Sequence, residues 1–228
     1  MLYIIGLGLD EKGISQKGLE AVKKCRKIYL ENYTVEFPYS ARELEKIIKK
    51  KIIPAERGFV ESDNLIKEAK KEDICLLVYG SPLTATTHIS LIQEAEKNKV
   101  KYEIIYSASV LDAVAETGLQ VYKFGKITSI PNFEADSFNE TVKENRKINA
   151  HSLILADIGL DFNDAIRRLE KTAGKDRIIA CSRLGTKDRK IFYGNINELK
   201  NKKVEAPFCF VIPAKLHFME EEVLAKFR

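Results

Sequence analysis

Three threonines and one histidine, Thr84, Thr86, Thr87 and His88, fall within five consecutive positions directly behind Gly80, Ser81, Pro82 and Leu83. Hydroxyls and an imidazole at that density offer a ligand both donors and acceptors. An apolar run over residues 74–79 precedes them and a helical pattern follows, so the stretch reads as a buried strand breaking through a tight loop into a helix. In open α/β sheets ligands sit outside the carboxyl ends of such strands. The same residues have a plainer reading, in which Thr86 or Thr87 caps the helix. Residues 7–10, 107–110, 156–158 and 182–186 form further strand-end loops with hydroxyls, backbone groups and apolar side chains but little acid–base equipment. Such an inventory suits a small ligand held by shape and hydrogen bonds, or a reaction driven by positioning. Neither a Gly-x-Ser-x-Gly elbow nor a phosphate loop is present, and no residue is assigned as catalytic.

Gly6-Leu7-Gly8 follows a short apolar run, and Glu31 lies near the distance at which an acid would hold a ribose. The third glycine of the dinucleotide fingerprint is missing. Asp10 and Glu11 would also repel a pyrophosphate at a helix start, whereas a cationic or phosphate-free ligand tolerates them. His88, His151 and His217 lack metal-ligand spacing, and no metal site is expected. Cys25, Cys75, Cys181 and Cys209 form no Cys-x-x-Cys pair, which fits free thiols in a reducing compartment. Net charge is +5 with 31% charged residues of mixed sign, a mild bias that does not suggest a nucleic-acid binder. The absence of a targeting segment or a bilayer-length apolar run leads to the expectation of a cytoplasmic protein.

The elements that would position these loops alternate over the first half. Strands are expected at residues 2–5, 28–31, 74–79 and 102–106, and helices behind Ser15 and over residues 41–51, 63–71 and 87–98. That alternation predicts a mostly parallel sheet with helices on both faces. Beyond Ala113 strand and turn signals crowd together. A helix over residues 136–149, capped by Ser137, precedes an apolar run over 151–158, a helix over 162–172, and strands at 178–181, 191–193 and 208–212. The domain boundary is placed so that the first α/β domain covers residues 1–112 and the second 113–228.

Taken in order, these loops resemble diphthine synthase, a methyltransferase family of the tetrapyrrole-methylase fold. The resemblance rests on Gly6-Leu7-Gly8-Leu9, residues 28–34, Pro82-Leu83-Thr84-Ala85-Thr86-Thr87-His88, Ala108-Ser109-Val110, residues 117–126 and 151–158, and Leu216-His217. It implies two α/β domains with S-adenosylmethionine in the cleft between them, a homodimer, and methyl transfer to the amino group of a modified histidine on elongation factor 2. Some members stop at the trimethylamine and others continue to a methyl ester. The implied donor contacts are Leu9, Ser81, Thr84, Ser109, Val110, Ala156, Leu184 and Phe208. Where the family usually has Gly-Asp-Pro-Leu, this chain has Gly80-Ser81-Pro82-Leu83, which implies weaker donor binding or else an unusual site arrangement. Tyr122 and Phe124 are candidates to hold the growing methylammonium by cation–π contact, unless they are core aromatics. His88 is read as orienting its loop, contacting substrate or handling a proton, and His217 as an interface residue. Two other functions stay open: a tetrapyrrole or cobalamin-precursor methylase, and a donor-binding or elongation-factor-binding module without turnover.

Overall fold

A computed structural model describes all of residues 1–228. The chain divides into two compact units, Met1–Val110 and Leu111–Arg228. In the first, β1 (Leu2–Gly6), β2 (Lys27–Glu31), β3 (Ile53–Ala55), β4 (Ile74–Val78) and β5 (Tyr102–Ile105) pair in the order β3-β2-β4-β1-β5. Every pairing is parallel. Helices α1 (Gln16–Lys24), α2 (Ala41–Ile48), α3 (Arg57–Val60), α4 (Asn64–Ala69) and α5 (Ile89–Lys97) supply the crossovers.

Strand residues alternate between faces, and the core follows that alternation. Leu2, Ile4, Ile74, Leu76 and Val78 pack with Leu65, Ile66 and Ala69 of α4 and Leu91, Ile92 and Ala95 of α5. Tyr3, Ile5, Cys75 and Leu77 pack with Ala21 and Val22 of α1 and Leu44 and Ile48 of α2. Both faces are covered, which is why β4 is apolar at every position.

The short helix α6 (Val110–Ala113) straddles the division, and the second unit continues with two 3₁₀ turns, Val114–Thr117 and Val121–Lys123. Its strands are β6 (Thr128–Ile130), β7 (Ser152–Ala156), β8 (Ile178–Ser182), β9 (Lys190–Gly194) and β10 (Phe208–Ile212), ordered β6-β7-β10-β8-β9. Only β6 and β7 are parallel; β10 runs antiparallel to β7 and β8, and β9 antiparallel to β8. Helices α7 (Ser137–Lys147), α8 (Phe162–Ala173) and α9 (Ile196–Leu199) cover one face around Phe138, Ile166, Leu169 and Phe210. Helix α10 (Phe218–Leu224) closes the chain.

Two capping expectations are corrected. Helix α5 starts at Ile89 with His88 in the cap position and no side-chain cap bond; Thr86 lies before the cap position, and its hydroxyl donates back to the Pro82 carbonyl. Ser137 is the first residue of α7, and the cap position is Asp136, again without a side-chain bond to the helix backbone. Ser15 does cap α1, its hydroxyl accepting from Gly18 N–H at 3.1 Å. All four cysteines are free and buried. No helix is long and apolar enough to cross a membrane.

Candidate functional site

In the first unit the loops leaving β1, β4 and β5 meet at the carboxyl edge of the sheet. Gly8 N–H donates to the Gly80 carbonyl at 3.1 Å, and Gly80 N–H donates back to Gly8 at 2.9 Å. Both glycines have positive φ, 71° and 69°, a region L side chains rarely adopt. A Cβ on Gly80 would make ordinary van der Waals contact with the Ala108 carbonyl and Ser109 Cα at 3.8 Å, so the second and third loops approach each other there and it is the positive φ that favours glycine. The Tyr79 hydroxyl donates to the Leu9 carbonyl at 3.0 Å, and Ser107 donates to Gly13 at 2.9 Å. These bonds lock residues 7–13 against the ends of β4 and β5. Leu9, Ser81, Thr84, Ser109 and Val110 are thereby brought to one edge. Leu9, Ser81 and Ser109 are buried there, and Thr84 and Val110 are half-buried.

The loop after β4 is folded around one carbonyl. Pro82 O accepts from the Thr86 hydroxyl at 2.7 Å and lies 3.0 Å from His88 Nδ1. Thr84 N–H closes a turn onto Ser81 O at 3.1 Å. Ala85, between them, sits at φ 55°. His88 is 1% exposed, so its place is inside the loop's base.

Glu31 is also buried, and the dinucleotide reading fails on it. Its Oε1 accepts from Tyr33 N–H at 2.9 Å and Thr34 N–H at 2.7 Å, a local turn that uses the carboxylate, while Oε2 lies 3.9 Å from His88 Nε2. A ribose would find no free acid there.

In the second unit the other three proposed contacts also share a sheet edge. Ala156 ends β7, Leu184 follows β8, and Phe208 begins β10, where it pairs with Ser182 while Cys209 pairs with Leu155. Because β10 is antiparallel to both neighbours, its first residue meets their last. The turn after β8 is tightly held: Arg183 N–H donates to Pro207 O at 2.8 Å, Ser182 Oγ donates to Glu205 O at 2.7 Å, and Gly185 N–H donates to Glu116 Oε1 at 3.2 Å. Phe208 packs edge-on against Phe162 and Phe210, at 5.6 Å from each ring.

Tyr122 and Phe124 fall elsewhere. Phe124 bridges to His151 and meets its ring edge-on at 5.4 Å, which puts it at the amino end of β7, opposite Ala156. Tyr122 is 82% exposed, so it is no core aromatic. His217 is the cap of α10, its Nδ1 accepting from Met219 N–H at 3.4 Å. A cavity of about 330 Å³ lined by Arg177, Phe192, Tyr193, Glu198 and Lys202 lies at the Gly194–Ile178 end of β8 and β9, away from Leu184 and Phe208.

One buried cluster escaped the sequence entirely. Glu220, fully buried, accepts from Gln120 N–H at 2.9 Å, His217 N–H at 2.7 Å, Lys123 Nζ at 2.5 Å and His151 Nε2 at 3.2 Å. His151 Nδ1 accepts from Ala214 N–H at 2.9 Å, which fixes the proton on Nε2 and aims it at Glu220. Burial pushes the Glu220 carboxyl up, but the His217 N–H, the Lys123 ammonium, the Gln120 N–H and His151 outweigh it and bring it to about 2. Burial holds His151 below the usual imidazole value despite Glu220. No spacing could reveal partners lying 69 and 97 residues apart.

The chain matches the family model described as Tetrapyrrole (Corrin/Porphyrin) Methylases over residues 1–200. It is 39% identical to a probable diphthine methyl ester synthase of Arabidopsis thaliana, over 98% of this chain and 97% of that one. It is 39% identical to a diphthine synthase of Methanocaldococcus jannaschii, with the same two coverages. Among solved structures it is similar to a diphthine synthase at TM-score 0.93 and 36% identity, covering 99% of this chain and 95% of that one. A putative diphthine synthase from Entamoeba histolytica gives TM-score 0.88 at 33% identity, covering 100% and 98%.

Proposed function

Belonging to the tetrapyrrole-methylase family and, within it, to the diphthine synthases, the chain is an S-adenosylmethionine-dependent methyltransferase of diphthamide biosynthesis, and we propose that its acceptor is the amino group of the modified histidine on elongation factor 2. The observation that carries this reading is the end-to-end likeness to diphthine synthases, 39% identity over 98% of the chain. We further propose that it works in the cytoplasm as a homodimer.

The residues fit the donor in kind. The hydroxyls of Ser81, Thr84 and Ser109, gathered at one sheet edge, suit a ribose or amino-acid moiety, and Leu9 and Val110 are apolar partners for a base. Asp10 and Glu11, which would repel a phosphate, are compatible with a cationic sulfonium compound. We propose Leu9, Ser81, Thr84, Ser109 and Val110 as donor contacts in the first unit and Ala156, Leu184 and Phe208 in the second.

When bound, S-adenosylmethionine supplies a methyl group already activated on sulfur. The chain's own work is then to hold the donor, orient the acceptor and exclude water. An amine attacks only as the neutral base. A free α-amino group titrates near about 8, so a partly dry pocket leaves a useful fraction deprotonated without a dedicated base. Alignment of nucleophile and methyl carbon can supply about 7–11 kcal/mol of the barrier reduction.

The test is incubation of the purified chain with labelled S-adenosylmethionine and elongation factor 2 bearing the aminocarboxypropyl-histidine precursor, with unmodified factor as control. Label on the precursor form alone supports the reading, and mass spectrometry then counts the methyls and separates a trimethylamine from a methyl ester. Donor binding without transfer overturns the acceptor assignment. In the same assay Ser81→Asp is expected to tighten donor binding severalfold, about 1 kcal/mol, by adding a charged acceptor.

A further inference from the structure

The loop after β4 is held in a conformation it would not adopt alone. Ala85 stands in the left-handed region at φ 55°, where an L side chain is strained. Such residues persist only where the surroundings over-determine them. Two side chains do so here, Thr86 Oγ1 and His88 Nδ1, both on the Pro82 carbonyl. A carbonyl only accepts, so the proton between His88 and Pro82 sits on Nδ1. The ring's other nitrogen makes no hydrogen bond, although it is buried and faces Glu31 Oε2 at 3.9 Å. The directed bond His88 makes is therefore the one to Pro82.

We propose that His88 is a positioning residue for the methyl donor: its Nδ1–H pins the Pro82 carbonyl and thereby holds Ser81 and Thr84 in the arrangement that receives the donor. The inference rests on the reading of Ser81 and Thr84 as donor contacts. It assigns His88 no contact with the donor and no proton transfer. Pro82 lies between the two residues, and the turn from Thr84 N–H to Ser81 O closes over the same carbonyl. Freeing that carbonyl would let Ala85 leave its strained conformation and take Thr84 with it.

Two substitutions separate the two ring nitrogens. The amide nitrogen of asparagine stands as far along the side chain as Nδ1, and that of glutamine as far as Nε2. His88→Asn is expected to keep donor Kd within about threefold of the parent. His88→Gln is expected to raise donor Kd and KM about tenfold or more, since the Pro82 carbonyl loses a buried donor, while kcat falls less than threefold. Thermal unfolding checks that both variants fold. Hydrogen exchange at the Thr84 amide reads the loop directly and should quicken in His88→Gln but not in His88→Asn. Equal behaviour of the two folded variants, in exchange or in affinity, overturns the proposal, as does a loss confined to kcat. Should either variant fail to fold, Thr84 exchange in Thr86→Val, which removes the other anchor, must rise together with donor Kd, or the proposal falls. Thr84→Val and Ser81→Ala are the control for the underlying reading. If both leave donor Kd unchanged while His88→Gln still speeds exchange, it is the donor assignment of the loop that fails, and the pinning by His88 stands as architecture only.

Discussion

The molecule buries two histidines beside a carboxylate, one in each unit, and treats them differently. His151 has both nitrogens engaged, and the Glu220 it faces accepts from three further groups. His88 has one nitrogen engaged, and its carboxylate stands 3.9 Å off. In a low-dielectric interior a fully satisfied network rigidifies and specifies a local structure. A partly satisfied one costs free energy, and strain beside it, here at Ala85, is the kind of feature that persists where function requires it. The Glu220 cluster joins the turn at Val121–Lys123, the start of β7 and the cap of α10, which are otherwise unrelated in sequence. The His88 pair supports a single loop at the sheet edge where ligands of such folds bind.

The contrast makes removal of Glu220 the most costly change. Glu220→Ala leaves Lys123 and His151 without their buried partner, and a loss of about 3–5 kcal/mol is expected from urea unfolding. Donor affinity of the folded fraction should be unchanged; a specific loss of affinity would show that the cluster is not architecture alone.

Acid should expose the same difference. Glu220 has its carboxyl pushed down to about 2 in the folded chain. Its contribution is fully present above the unfolded value near about 4.3 and is lost as pH falls through about 2; a depression of that size corresponds to about 3 kcal/mol. His151, also held low by its burial, loses stability in the same direction on acidification. Urea midpoints followed from pH 6 to 2 should fall in the parent and fall less in Glu220→Gln.

A smaller effect is expected at Ala85. Glycine adopts its φ of 55° without strain, so Ala85→Gly should leave the thermal midpoint unchanged or raise it by an amount equivalent to about 0.5–1 kcal/mol. The same change frees the loop, and donor Kd should weaken about threefold. Stability and affinity moving in opposite directions would sharpen the comparison, and movement together would break it. The smallest change belongs to Tyr122, whose ring is 82% exposed. Tyr122→Ala should alter stability by no more than about 0.5 kcal/mol in thermal unfolding. A kcat loss there would support the methylammonium role.

What could be read from the sequence follows from how local each feature is. The run Ile74–Val78 is apolar at every position because both its faces are buried, and that pattern alone marks β4. Ala41–Ile48 announces itself through spacing and a capping box from Ser40 to Glu43. Strand β3, three residues around Pro54, carries no such pattern, since a proline at a sheet edge reads as a break. The threonine cap was misplaced because the helix begins only three residues after Thr86, whose hydroxyl instead donates to the Pro82 carbonyl within the loop. The strand-end loops of the site were legible as loops, since glycine, serine and proline punctuate them. Their convergence was not, because it depends on Gly8 meeting Gly80 across 72 residues. The antiparallel second sheet was equally hidden, as strand direction is a property of the pairing and leaves no mark on β8 or β10 alone.

The four buried cysteines have a use beyond packing. Cys25 and Cys75 belong to the first unit and Cys181 and Cys209 to the second, where they face each other across β8 and β10. A thiol reagent can reach none of them until the surrounding core opens. The alkylation rate of each pair, resolved by peptide mass, therefore clocks the opening of its own unit. In one experiment on the unaltered chain, added donor that slows labelling of both pairs would show that its binding free energy is shared by both units, and slowing of one pair alone would show which unit bears it.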